Sequence, residues 1–196
     1  KLQGAKTHTR DYLYQFFPED CNSHTELFMG TNTVLIGAPI KCIERAVDIN
    51  SYAINFFKTI QTNPDEFWGT FTVALNQYLK AEREGKGKEY FSSYKYSVTR
   101  TDCKILRAVY FYLITKTCFN GIWRINQDGE CNSAYCNQVK GRGWLTKDWF
   151  DALCSRIEHI TFYNKDYKAC LQNLINPKAF VYLDPPYEYR SKKLPN

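Results

Sequence analysis

A five-residue apolar run, Ala179-Phe180-Val181-Tyr182-Leu183, ends abruptly in Asp184-Pro185-Pro186-Tyr187. An apolar run of that length, closed by a polar, proline-stiffened turn, reads as a buried parallel strand whose C-terminal end carries chemistry. Parallel strands of this kind belong to α/β sheets, and open α/β sheets bind their ligands beyond the carboxyl ends of the strands. Two prolines fix φ and donate no N–H, so the carbonyls of the turn stay available as acceptors. Asp184 adds a carboxylate and Tyr187 a flat ring. Two acceptors and an aromatic ring suit the exocyclic amine of a planar heterocycle. A rigid turn after a strand gives the same pattern with no function at all, so the rest of the chain has to decide.

The 196 residues are expected to form one domain, or one domain with a sizeable insert. With 44% hydrophobic and 16% aromatic residues the chain can bury a real core. No apolar stretch is long enough for a membrane span, and the first six residues have no signal-peptide block, so the expected location is cytoplasmic. Eight scattered cysteines without a C-x-x-C pair fit a reducing compartment, and their spacings match no zinc signature, so no metal is expected.

Charge is unevenly distributed. Residues 76–147 hold 13 Lys/Arg against 6 Asp/Glu, a net +7, which leaves −1 for everything else. A basic middle between near-neutral flanks looks like a module for a polyanion inserted into a catalytic core. A solvated helical insert kept soluble by its lysines is the plainer alternative.

Strands are expected near 25–29, 44–49, 160–164 and 180–183. Helices are expected over 52–61, from Pro64 toward Arg83, over 103–116, 149–157 and 167–174. Asn50 or Ser51 can cap the first of these helices, and Asn63-Pro64-Asp65-Glu66 starts the second with a cap, a first-turn proline and two acids. Residues 84–100 read as a mobile loop or weak helix. Gln127-Asp128-Gly129 within 121–132 is a hairpin-turn signal. The expected architecture is an α/β sheet interrupted by a helical and hairpin segment. Its parts are a first strand-helix portion (1–62), an insert (63–147, hairpin 121–133) and a closing strand-helix portion (148–196).

Three acids fall at the ends of the first three strands. Glu26-Leu27-Phe28-Met29-Gly30 lies at the first, with a Gly turn that lets a ligand approach the backbone; Asp48 ends the second, and Asp166 follows the third. Surface positions or helix caps would explain each acid singly. Together with Asp184 they outline a nucleoside pocket.

Taken in order, these motifs resemble the Dam-type DNA adenine-N6 methyltransferases (the D12 class, α-group motif order). Lys1-Leu2-Gln3-Gly4-Ala5-Lys6 looks like the family's K-x-x-G-G-K, Glu26 to Val34 like E-P-F-x-G-x-G-x-V, and Val47-Asp48-Ile49-Asn50 like its acidic second motif. Cys118-Phe119-Asn120-Gly121-Ile122-Trp123-Arg124-Ile125-Asn126, with Gly129-Glu130-Cys131-Asn132, looks like its DNA-reading hairpin. Asn164-Lys165-Asp166-Tyr167 resembles its G-D-F, and Asp184-Pro185-Pro186-Tyr187 its catalytic motif. The resemblance implies a Rossmann-like methyltransferase sheet that transfers a methyl from S-adenosylmethionine directly to a flipped-out adenine of double-stranded DNA, without metal or membrane. It implies that Lys6, Glu26, Phe28, Gly30, Asp48 and Asp166 bind the cofactor. Asn120, Arg124 and Asn126 would meet DNA, and Asp184, Pro185, Pro186 and Tyr187 would carry catalysis.

The chain departs from the family pattern at Ala5, Leu27, Asn32 and Ala134. Asn32 replaces the second glycine of G-x-G and is expected to crowd the cofactor and weaken its binding. The sequence runs only nine residues past Tyr187, so a further C-terminal segment or a second chain is expected to cover the last strand. A weak or inactive DNA-binding relative, or an enzyme acting on RNA, are the competing expectations.

Overall fold

The computed structural model describes residues 6, 8–39, 42–136, 143–174 and 178–186, with the side chains of 172–174 aside. Tyr187 and residues 1–5 of the N-terminal motif therefore lie outside the described residues.

Four parallel strands, β1 (Ser23–Leu27), β2 (Ile43–Asp48), β3 (Thr161–Asn164) and β4 (Ala179–Leu183), pair in the order β3-β2-β1-β4. The chain builds outward from β1 through β2 to β3, then returns to the other side of β1. The strand order therefore reverses between β1 and β4, which is where a doubly wound sheet opens a ligand crevice. This is the mixed α/β, Rossmann-like sheet expected from the sequence.

β1 is buried along its whole length although it reads Ser-His-Thr-Glu-Leu. It begins two residues earlier than the apolar Leu27-Phe28-Met29 suggests. The reason is local: Phe28 adopts a left-handed φ of 62°, which ends the strand. β4 is only half-buried and Leu183 is 53% exposed, because among the described residues β4 has a strand neighbour on one side only. That differs from the fully buried strand its apolar run suggests.

Eight α-helices accompany the described sheet: α1 (Arg10–Leu13), α2 (Thr33–Gly37), α3 (Ser51–Thr62), α4 (Pro64–Arg83), α5 (Gly87–Val98), α6 (Lys104–Thr117), α7 (Lys147–Ile157) and α8 (Tyr167–Leu174). Asn50 caps α3 by accepting from the backbone N–H groups of Tyr52 and Ala53. α4 begins with Pro64 and carries Asp65 and Glu66 in its first turn, where the helix dipole favours acids. The segment 84–100 is not a loop. It contains α5, whose buried Phe91, Tyr94 and Val98 recur at helical spacing within an otherwise polar sequence.

α6 packs against α3, α4 and α5, and one buried cluster runs from β2 and α3 through these helices to β3. Aromatic rings join its parts. Phe67 of α4 stacks on Phe150 of α7 at 5.7 Å, and Phe57 of α3 stacks on Phe162 of β3 at 5.4 Å. Offset stacking adds to simple area burial. After α6 the chain folds back on itself. Cys118 bridges Tyr135 and Ile125 bridges Cys131 in antiparallel fashion, with the turn at 126–130 and Gly129 at φ 79°. The turn is braced from α5: Arg100 pairs with Glu130 and lies 3.9 Å over the Tyr96 ring. Among the described residues no helix is long and apolar enough to cross a membrane.

Phe67 is fully buried at the junction of α3, α4 and α7. Phe67→Ala is expected to lower unfolding free energy by about 3–5 kcal/mol in urea titration.

Candidate active site

The polypeptide leaving β1 takes an unusual path. Phe28, Gly30 and Asn32 all adopt left-handed φ values, 62°, 49° and 54°. A side chain makes this conformation costly at Phe28 and, less so, at Asn32, and the turn has outside support. The support comes from β2. Met29 N–H donates to the Val47 carbonyl at 3.0 Å, and Gly30 N–H donates to Asp48 Oδ2 at 2.8 Å. The other oxygen of Asp48 accepts from Asn50 N–H at 2.7 Å. One carboxylate thus fixes the Gly turn and the entry to α3 together. An ionised carboxylate has about four acceptor sites, so these bonds leave capacity for a ligand.

The turn then enters α2, where the capping is displaced. Asn32 sits at the N-cap position, yet its side chain makes no cap bond. Glu26 of β1 does the work instead, accepting from Leu35 N–H at 3.0 Å. Glu26 is 3% exposed, and burial lifts its pKa to about 8; the Leu35 bond opposes the rise, while the nearby Asp184 and Asp48 carboxylates add to it. Tyr14, in the 3-10 turn after α1, steadies the same helix by donating to the Val34 carbonyl at 2.8 Å.

These elements enclose a cavity of about 630 Å³ at the C-terminal ends of β1, β2 and β4. Glu26, Phe28, Gly30 and Val34 line it from β1 and α2, Asp48 and Ile49 from β2, and Asp184, Pro185 and Pro186 from beyond β4. Lys6 closes one side, its Nζ 2.9 Å from Asp184 Oδ2. Three acids and one lysine therefore share a half-enclosed space, and a ligand carrying positive charge would stabilise the ionised form of Glu26 there. The size suits a drug-sized molecule.

The other sequence candidates are placed differently. Asp166 is exposed and lies outside the cavity lining; its carboxylate accepts from Lys168 N–H at 2.8 Å in the first turn of α8. Asn32 does not crowd the cavity. Its side chain is completely buried and is absent from the lining, and among the described residues its amide has no hydrogen-bond partner. The physical reason is the left-handed backbone, which the asparagine adopts as a glycine would.

Asn120, also left-handed at φ 52°, and Arg124 are exposed on the fold-back after α6. Asn126 is committed to the turn itself: its N–H donates to the Glu130 carbonyl and its Oδ1 accepts from Glu130 N–H. Lys80, Lys86, Lys88, Arg100 and Lys104 present a basic exposed surface on α4–α6. No group of three or more metal-ligating side chains occurs among the described residues.

Sequence reasoning missed Glu44 and Arg156. Glu44 of β2 is buried, and Arg156 of α7 grips both of its carboxylate oxygens. An acid at a core-facing position of a strand was the available signal, since a buried carboxylate needs a partner.

The sequence model of the D12 class N6 adenine-specific DNA methyltransferases matches residues 3–194, and the chain belongs to that family. Type II methyltransferase M.MjaIII of Methanocaldococcus jannaschii is 23% identical over 98% of this chain and 69% of its own length. The DNA adenine methylase of Serratia marcescens is 25% identical over 95% of the chain and 65% of its own length. The DNA N-6-adenine-methyltransferase of Escherichia phage P1 is 25% identical over 96% of the chain and 24% of its own length. The chain thus spans about two thirds of the first two relatives and a quarter of the third.

Because Glu26 carries a raised pKa in the fold, its contribution to stability is greatest below about pH 4.5, its ordinary value, and is lost as pH rises toward 8. Glu26→Gln keeps the acceptor for Leu35 N–H and removes the charge. Thermal unfolding of the wild type relative to this variant should decline between pH 4.5 and 8, and an unchanged difference across that window would refute the burial argument.

Proposed function

We propose that the chain binds S-adenosylmethionine in the cavity between β1 and β4 and methylates N6 of an adenine flipped out of double-stranded DNA. The observation that carries this reading is the meeting of the Gly turn and Asp184 in one cavity of about 630 Å³. Cofactor and acceptor would then be held side by side by one sheet.

The residues present suit the cofactor. A cavity of about 630 Å³ has room for its adenosyl and methionyl parts, and its sulfonium charge would stabilise the ionised form of Glu26. Glu26, Phe28 and Gly30 line the cofactor in this reading, Lys6 stands between cofactor and DNA, and Asp48 offers its remaining lone pairs to the ribose hydroxyls. Asp166 stands outside the cavity lining with one carboxylate oxygen on Lys168 N–H, and its other oxygen would accept from the adenine amino group. When bound, S-adenosylmethionine supplies an electrophilic methyl on a positively charged sulfur.

The protein's part is positioning. A target adenine is unreachable inside the duplex and has to leave the stack. Asp184 and the Pro185 carbonyl accept from the N6 amino group and turn its lone pair toward the methyl, while Pro186 keeps the turn rigid. Lys6 fixes the Asp184 carboxylate by their ion pair. Tyr187, adjoining this turn in sequence, stacks on the flipped base. No strong base is required, because the amino proton becomes acidic only as the N–C bond forms. Alignment of the reacting atoms supplies most of the acceleration.

Asn120 and Arg124 would approach the major groove from the fold-back. Arg124 can donate two hydrogen bonds to a guanine, worth about 1–3 kcal/mol of discrimination. Asn126 would act indirectly, by shaping the turn. The lysines of α4–α6 would meet phosphates and make affinity fall with salt.

Transfer of tritiated methyl from S-adenosylmethionine to unmethylated duplex DNA tests the reading. Label should appear in N6-methyladenine and fall by at least about a hundredfold in Asp184→Ala. Salt-sensitive DNA binding without any transfer would favour the alternative of a DNA-binding relative that has lost catalysis. Label in RNA in preference to duplex DNA would overturn the choice of substrate.

A further inference from the structure

The shortest ordered helix lining the cavity is held from both ends. α2 has five residues, too few to be stable by itself. At its start, the Leu35 N–H is anchored by Glu26. At its end, Arg156 of α7 donates from Nε to the Ile36 carbonyl at 2.8 Å and from Nη2 to the Leu35 carbonyl at 2.6 Å. The Leu35 carbonyl also accepts from Ala38 N–H at 3.1 Å, and both carbonyls lie at a helix end, where a cation is favoured. The remaining donors of the guanidinium hold Glu44 of β2, with Nη1 2.7 Å from Oε2.

α7 is itself fixed at that point. Gln61 of α3 donates its amide to the carbonyls of Ile157, at 2.6 Å, and Ile160, at 2.9 Å. The arginine therefore projects from a clamped helix end, over a buried carboxylate, into the base of α2.

We infer that Arg156 is a positioning residue for cofactor binding: together with Glu44 it holds α2 so that Leu35 orients the Glu26 carboxylate in the cavity. The inference rests on the reading that Glu26 lines S-adenosylmethionine. A planar guanidinium is needed, because only it reaches two successive carbonyls and both carboxylate oxygens at once. Lysine keeps the charge but not the fork.

The test uses the whole chain and four variants: Arg156→Lys, Glu44→Gln, Glu26→Gln and the Arg156→Lys/Glu26→Gln double variant. KM for S-adenosylmethionine and kcat at saturating cofactor are measured well below the unfolding temperature, and cofactor affinity is measured by calorimetry. Arg156→Lys should raise KM and the dissociation constant about three- to tenfold with kcat nearly unchanged. Glu44→Gln should act in the same direction. In the Glu26→Gln background the further effect of Arg156→Lys should shrink to less than about twofold, because the carboxyl group it orients is gone.

A lowered unfolding temperature with unchanged KM would make Arg156 purely structural and overturn the inference. Effects of Arg156→Lys and Glu26→Gln that simply multiply would overturn it too. Wild-type protein that binds cofactor while Glu26→Gln binds equally well would remove the role given to Glu26, and the inference with it. Wild-type protein that binds no cofactor would overturn the functional reading itself.

Discussion

The cavity depends on the carboxylate of Asp48. Three left-handed residues follow β1 within five positions, and Phe28 among them carries a side chain that disfavours that conformation. Asp48 holds the middle one, Gly30, through its backbone N–H and holds the start of α3 through Asn50. Removing that carboxylate would free the turn that carries Phe28 and Gly30 and loosen the helix behind it. A residue expected to serve a ligand is therefore also the residue that makes the ligand's surroundings. Charge-assisted bonds to backbone N–H groups are among the stronger ones available to a fold.

The same economy recurs one turn later. Glu26 caps a helix whose own N-cap residue does not, and it does so from the floor of the cavity. Burying this acid is unfavourable, as its raised pKa shows. A positively charged ligand would relieve that cost by stabilising the ionised form. Affinity for such a ligand and the cost of burying this acid would in this sense be linked. Arg156 and Glu44, an ion pair beside the groove at the opposite ends of the strands, keep the helix in place while Glu26 changes its charge.

Much of this was legible in the sequence where local chemistry decides structure. Asn50, Pro64 and Gly129 announced two helix starts and a turn because capping, fixed φ and positive φ act within a few residues. The apolar run before Asp184 announced β4. Elsewhere the signal was hidden. α5 buries only Phe91, Tyr94 and Val98 among serines, lysines and tyrosines, so its period is faint. α2 is too short for any period. β1 is built of polar residues that tertiary packing, not hydrophobicity, keeps inside. The Arg156–Glu44 pair joins residues 112 positions apart, and no local rule connects them. The order of motifs, by contrast, carried the family, because sequential agreement along the chain does not depend on locating any one element correctly.

A crystal structure with S-adenosylhomocysteine, the demethylated cofactor, would test the central claim most directly. The account predicts the adenosyl group beyond the carboxyl ends of β1 and β2, with ribose hydroxyls on Asp48, backbone passing closely at Gly30, and the sulfur directed toward Asp184. Density for the ligand elsewhere would contradict it. The groove at the opposite ends of the strands, beside Cys21, Cys42 and His159, is the place to look for that result.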